Sequence, residues 1–259
     1  MKNQPERCVH CLIQSSELTR DHILPKSYYP DSTSPEIERW TAPACEKCNL
    51  ELGKIEEELL TLLGLSLNPR ADSISGTSSI SQKVLRSLNP KAAKNERDQK
   101  MRHGKALKIV RGIFRADGST KGMFPNFGYH AGWKPEEQYG VYIPADKIEK
   151  FGCKMVRGLE YKLQGRVIDP SSKLEVFYCH EDTIQDVIQV IHRFGKHHVI
   201  TPGFEFYRAS PDQSNKHALY QIRIWDKFVI YGSIVQKPWW RLPFDFKFLK
   251  YRLFKLAGF

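Results

Sequence analysis

Long apolar runs are missing from this 259-residue chain: none approaches the roughly 18–20 residues that a membrane-crossing helix needs. The first residues, MKNQPERCVHC, have no apolar stretch of the kind that directs export, so a cytoplasmic setting is expected. No internal repeat is visible. Acidic residues are scarce beside basic ones, 29 against 40, which leaves a net charge of +11 and a pI of about 9.3. That imbalance favours polyanionic partners, either nucleic acid or an anionic membrane surface. The hydrophobic share of 41% is ordinary, so wholesale disorder is not expected. The length suffices for one substantial core or two modest ones.

Cysteine is sparse but ordered. Four of the six fall in two knuckles, CVHC at 8–11 and CEKC at 45–48. In a chain without an export signal such thiols are expected to hold metal, not to pair as disulfides. Cys8, Cys11, Cys45 and Cys48 supply the four thiolates of a tetrahedral structural Zn²⁺ site. A thiol redox motif is disfavoured because no βαβ pattern surrounds either pair. His10, inside the first knuckle, is expected to be a bystander, since four sulfurs complete the tetrahedron. Cys153 and Cys179 stand alone in apolar elements and read as core thiols.

The chain divides into four stretches on composition, with an α+β fold class overall. Residues 1–65 form a small zinc-stapled unit ending in a helix, where Ile55, Leu59, Leu62 and Leu63 recur at helical spacing. Residues 66–82 read as a Ser-rich, exposed linker. Residues 83–145 begin with a basic helical segment and continue into loops rich in Gly, Pro and aromatics. Over 83–115 eleven Lys and Arg face only Glu96 and Asp98, so nine of the eleven net charges lie there. After the Asn89-Pro90 break the spacing lays a positive stripe along a helix, with Ala106, Val110 and Ile113 on another face. Lys91, Lys94, Lys100, Lys105 and Lys108 are therefore candidate phosphate contacts.

Residues 146–259 read as an α+β accessory domain for nucleic acid or a protein partner. Asp146 is expected to cap a helix over 147–163, with Ile148, Phe151, Met155 and Leu159 inward and Gly165 past its end. A strand at 173–179, a helix at 182–195 and strands in FEFYRA, LYQIRIW and FVIYGSIV follow, the last two joined by a turn at Asp226-Lys227. The basic, aromatic tail 237–259 reads as a strand or docking segment rather than a membrane anchor.

Between the knuckles lies TRDHILPKS, and Asn49 directly follows the second knuckle. A staple of zinc would bring Asp21 and Asn49 together as two oxygen donors for one hard divalent cation. On a strand His22 must point the other way from Asp21, which separates a ligand from a free imidazole. An imidazole with a near-neutral pKa suits a general base. Arg20 and Lys26 flank the pair and are candidate phosphate contacts. Glu56, two helical turns beyond Asn49, reads as an exposed acid or as a support for the cation's water.

The combination CxxC–DHIxPxS–PACxxCN resembles the zinc-stapled branch of the HNH (ββα-metal) endonuclease family, and most closely endonuclease VII-type junction resolvases. The resemblance covers roughly residues 5–60. It implies a DNA phosphodiesterase giving 5′-phosphate and 3′-hydroxyl ends, with structural zinc on the four cysteines. It further implies Mg²⁺ or Mn²⁺ on Asp21 and Asn49, and His22 as general base. Double-stranded or branched DNA is the expected substrate, RNA remains an open alternative, and a homodimer or larger complex would account for double-strand breaks. Two departures stand out. Trp40 occupies the place of the family's middle asparagine, which braces the loop carrying the base, leaving Thr41 as a substitute. Tyr28-Tyr29-Pro30 replaces the usual Gly-Gly. The competing readings are a non-catalytic zinc-ribbon binder of nucleic acid and a membrane-associated scaffold using the tail.

Overall fold

The computed structural model describes residues 6–67, 76–115, 139–178, 184–201, 203–210 and 217–236. Strand β1 (Thr19–His22) pairs antiparallel with β2 (Thr41–Ala44), with Asp21 opposite Ala42 and His22 opposite Thr41. Helix α1 (Glu46–Leu65) starts directly after β2, with Cys45 at its N-cap and Glu46 in the first turn, where an acid complements the helix dipole. The order is therefore strand, strand, helix, with one knuckle before the ribbon and the other at its junction with the helix.

Helix α2 (Thr77–Leu88) follows, then α3 (Glu96–Arg111), opened by Asn95, whose side chain accepts from the Asp98 N–H. Strands β3 (Ile113–Arg115) and β4 (Tyr139–Val141) form a small ribbon. Helix α4 (Ala145–Gln164) ends on Gly165 in the left-handed conformation (φ 61°). A five-stranded antiparallel sheet completes the fold in the order β5-β9-β8-β7-β6. Its strands are β5 (Ser172–Phe177), β6 (Gly195–Thr201), β7 (Phe204–Ala209), β8 (Ala218–Ile224) and β9 (Phe228–Gln236). Helix α5 (Gln185–Phe194) leads straight into β6.

Strand alternation splits the sheet between two apolar clusters. Phe206, Tyr220, Ile222 and Ile230 join the larger one with α4, whereas Leu219 and Tyr231 pack under α5 with Val187 and Ile191. The larger cluster also takes in Ile23, Tyr28 and Leu59, so the stapled ribbon and the C-terminal sheet share a core. Helix α4 lies between them and touches both closely. A Cβ at Gly152 would lie 2.4 Å from Val176 on the sheet side, and one at Gly158 would lie 2.7 Å from Ile23 on the ribbon side. Hydrogen in place of a side chain at these two positions lets the helix seat against β1 and the sheet at once.

Several local expectations change. The stretch read as an exposed linker over 66–82 is helical from Thr77 onward, and Ile80 is fully buried against α1; residues 68–75 lie outside the described residues. Helix α3 buries no residue; of the apolar face expected there, Ala106 is half-buried while Val110 and Ile113 are exposed among the described residues. Pro144, not Asp146, occupies the N-cap of α4, with Asp146 in the first turn; Ile148, Phe151, Met155 and Leu159 are buried as expected. The β8–β9 turn centres on Trp225 and Asp226 (φ 56° and 58°), one residue earlier than expected. Strand β6 was not anticipated. The tail 237–259, Cys179 and most of the aromatic loop before β4 lie outside the described residues. Among the described residues no helix is long and apolar enough to cross a membrane.

Candidate functional site

The four knuckle cysteines converge. Their Sγ atoms all lie within 4.8 Å of one another, all four thiols are free, and Cys11 Sγ is 3.6 Å from Cys45 Sγ. The His10 N–H points at Cys8 Sγ (3.4 Å), the turn that a two-residue spacer enforces. Burial works against ionisation of Cys8, but the backbone N–H groups of Cys11, Cys45 and His10 outweigh it and bring the thiol down to about 7. Burial, together with the neighbouring sulfurs, pushes Cys48 up strongly. Four thiols this close ionise together only around a cation, so the donor set fits a structural metal such as zinc.

Alternation on β1 sets the rest of the site. Thr19 and Asp21 face α1, and Asp21 is buried while His22 is half-exposed on the opposite side. Asn49, in the first turn of α1, donates its amide to Thr19 Oγ1 (3.0 Å), which in turn donates to Ala44 O (2.9 Å). Asn49 thus stands one strand repeat, roughly 6.8 Å along β1, from the Asp21 position, on the same face. Its amide oxygen is not used in that bond.

Asp21 is held from two sides. Its Oδ2 lies 3.1 Å from His10 Nε2, and its Oδ1 lies 3.0 Å from Lys154 Nζ, an ammonium brought in by α4. His10 stays outside the four-sulfur cluster, as expected, and engages Asp21 instead: facing a carboxylate, Nε2 carries the proton. Burial would raise the Asp21 carboxyl, but the His10 bond and the Lys154 charge hold it below the ordinary carboxylate range. Lys154 also donates to the His22 carbonyl (2.6 Å) and pairs with Glu56. Glu56 is thus not the exposed acid of an EEE run; burial raises its carboxyl despite the lysine.

Around His22 the environment is cationic. Desolvation lowers its pKa, and Lys26, Lys154 and Arg39 push the same way against Asp21, so the ring is neutral at neutral pH. Among the described residues the ring makes no hydrogen bond, and its Nδ1 is buried without a partner. Arg39, lying over the Tyr29 ring at 5.4 Å, is a cation that sequence spacing did not single out. Trp40 directs its ring away from this loop, edge-on to Phe206 and under Lys162.

The outlying candidates divide. Arg20 is exposed and pairs with Glu6 (3.4 Å), and Lys26 is exposed beside His22. Lys105 and Lys108 lean on Glu57 (3.0 Å) and Glu58 (3.3 Å) of α1, so part of the positive stripe is already neutralised. Lys91, Lys94 and Lys100 are exposed. Cys153 is half-buried on α4 rather than deep in the core. No family model, curated protein or solved structure matches the chain or its fold.

Proposed function

We propose that the chain is a metal-dependent HNH endonuclease that hydrolyses DNA phosphodiester bonds. One observation carries the reading: consecutive residues of a two-stranded ribbon send a carboxylate inward and an unengaged, neutral imidazole outward, and a four-sulfur cluster pins that ribbon to a helix bearing Asn49. A binding module has no use for the outward imidazole set in a cationic rim.

Asp21 and Asn49 are the residues that would hold Mg²⁺ or Mn²⁺ through hard oxygen donors, with Asp21 Oδ2 exchanging its His10 partner for the cation. When bound there, the cation supplies charge stabilisation at the scissile phosphate and its departing oxygen. His22 removes a proton from the attacking water, the new P–O bond forms, and the 3′-oxygen leaves and is protonated from solvent. Lys26 and Arg39 seat the phosphate next to that base. Double-stranded or branched DNA is the substrate proposed, with the basic segment tracking its backbone.

A second reading has one observation in its favour. Both oxygens of Asp21 already have protein partners, as they would in a purely structural pair inside a zinc-ribbon binder. The test is cleavage of plasmid and of branched DNA with Mg²⁺ or Mn²⁺ by the parent protein and by His22→Ala. The nuclease reading expects the parent to cut, and the variant to lose cutting while keeping zinc and DNA affinity. Equal cutting by both proteins removes His22 as the base, and no cutting by the parent favours the binder.

A further inference from the structure

We propose that Lys154 is the positioning residue of this site: one ammonium group from α4 fixes the Asp21 carboxylate and the His22 backbone carbonyl to a single point, and so holds the ligand-bearing acid and the base-bearing peptide at a set distance from each other. This rests on the reading of Asp21 and His22 as the nuclease pair.

An ammonium has three N–H donors, and here each has its own acceptor: Asp21 Oδ1, the His22 carbonyl and Glu56. The side chain is 1% exposed, so it touches neither solvent nor a DNA strand, and its only route to the chemistry is through these partners. Two carboxylates beside one ammonium make the burial of the charge tolerable. Glu56 therefore acts as the second anchor that keeps Lys154 in register with β1. The approach of α4 that delivers the group is possible because Gly158, one turn along the helix, leaves room for Ile23, the residue after His22.

The same contacts answer the departure at Trp40. The tryptophan ring is committed to Phe206 and Lys162, so it does not brace the loop after His22. Trp40 contributes only its carbonyl, which accepts from the Ile23 N–H (2.9 Å). The side-chain brace comes instead from a helix more than a hundred residues further along the chain. Lys154 does not enter the reaction itself; it holds the base-bearing peptide and the ligand-bearing carboxylate to one point.

The experiment uses the full chain with Lys154→Met, and with Lys154→Met/Glu56→Gln, where loss of the ammonium is matched by loss of one acid. Zinc stoichiometry, thermal unfolding and DNA affinity without divalent cation report the fold and binding surface. Single-turnover cleavage at saturating DNA and Mn²⁺ reports positioning. The expected result for the double variant is normal zinc content and DNA affinity with a cleavage rate down by about 100-fold, the order of loss from a misplacement near 1 Å. Lys154→Arg, which keeps a cation, is expected to recover part of that rate. A double variant that cuts at the parent rate overturns the assignment, as does a loss confined to DNA affinity. Failure of both the single and the double variant to fold also overturns it, by making the ammonium a folding requirement only. A parent protein that leaves DNA intact instead overturns the nuclease reading, so the two failures are told apart.

Discussion

The indole N–H of Trp225 donates to the Tyr28 carbonyl at 2.8 Å, and the two rings stack with centroids 5.2 Å apart. Trp225 sits in the β8–β9 turn at φ 56°, a conformation a bulky residue rarely adopts. The bond and the stack, between residues 197 positions apart, offset that strain and tie the C-terminal sheet to the loop following His22. Trp225→Ala is expected to destabilise the whole chain by about 3–5 kcal/mol, the usual cost of a large cavity. Urea unfolding followed by far-UV circular dichroism and by zinc release should show both signals shifting together. Zinc release that keeps its parent midpoint while the sheet unfolds earlier would contradict a shared core.

Metal removal should be felt locally first. Zinc measured by elemental analysis is expected at one ion per chain, and Cys45→Ser is expected to lose it. A strong chelator should then expose the 6–67 region to protease, because the segment between the knuckles has few apolar anchors other than Ile23, Leu24, Tyr28 and Tyr29. A chelated protein that resists protease in that region as well as the parent would show the cluster to be dispensable.

Lysine substitutions in the basic segment should not be equivalent. Replacing Lys91, Lys94 and Lys100 together by Gln is expected to weaken binding to all DNA sequences and to reduce the salt slope by about 0.9 for each phosphate no longer neutralised. Lys105→Gln and Lys108→Gln should change the slope less, since Glu57 and Glu58 already engage those ammonium groups. Fluorescence anisotropy across a salt series separates the two sets, and a larger effect from Lys105 and Lys108 would reverse the assignment.

Cys153 should be slow to alkylate. Burial pushes its thiol up to about 11 from an ordinary 9.0, so the reactive thiolate appears only as pH approaches that value. At pH 8 its thiolate is about 100-fold rarer than that of an unperturbed thiol, because each pKa unit is a factor of ten. Iodoacetamide labelling of the zinc-loaded protein, mapped by peptide mass, should leave Cys153 unmodified at pH 8 and label it progressively above pH 10. Rapid labelling at pH 7 would place the thiol in a different environment.

Local pattern carried much of the fold. The inward faces of α1 and α4, the left-handed Gly165 at a helix end and the strands β7, β8 and β9 depend on spacings within one element, and those are written in consecutive residues. The opposite facing of Asp21 and His22 is of the same kind, since a strand alternates whatever surrounds it. Where side chains find partners from distant chain, spacing was a poor guide. The Ser-rich stretch before residue 82 reads as linker, yet its helix is stabilised from outside: Ile80 is buried, and Ser81 Oγ donates to the Leu67 carbonyl at 3.2 Å. Conversely, α3 has a helical pattern, yet among the described residues none of its apolar side chains is fully buried.

What the amino-acid order determined alone is the pair of knuckles, the two-residue alternation that separates a carboxylate from an imidazole, and the excess of positive charge. Tertiary structure alone decided that the four sulfurs meet within 4.8 Å, that His10 and Lys154 take the two oxygens of Asp21, and that Glu56 is drawn inward. The physical reason is range. Backbone geometry fixes facing over two to four residues, whereas a buried ammonium is placed by the packing of α4 against the β1–β2 ribbon and Ile23, which no stretch of consecutive residues encodes.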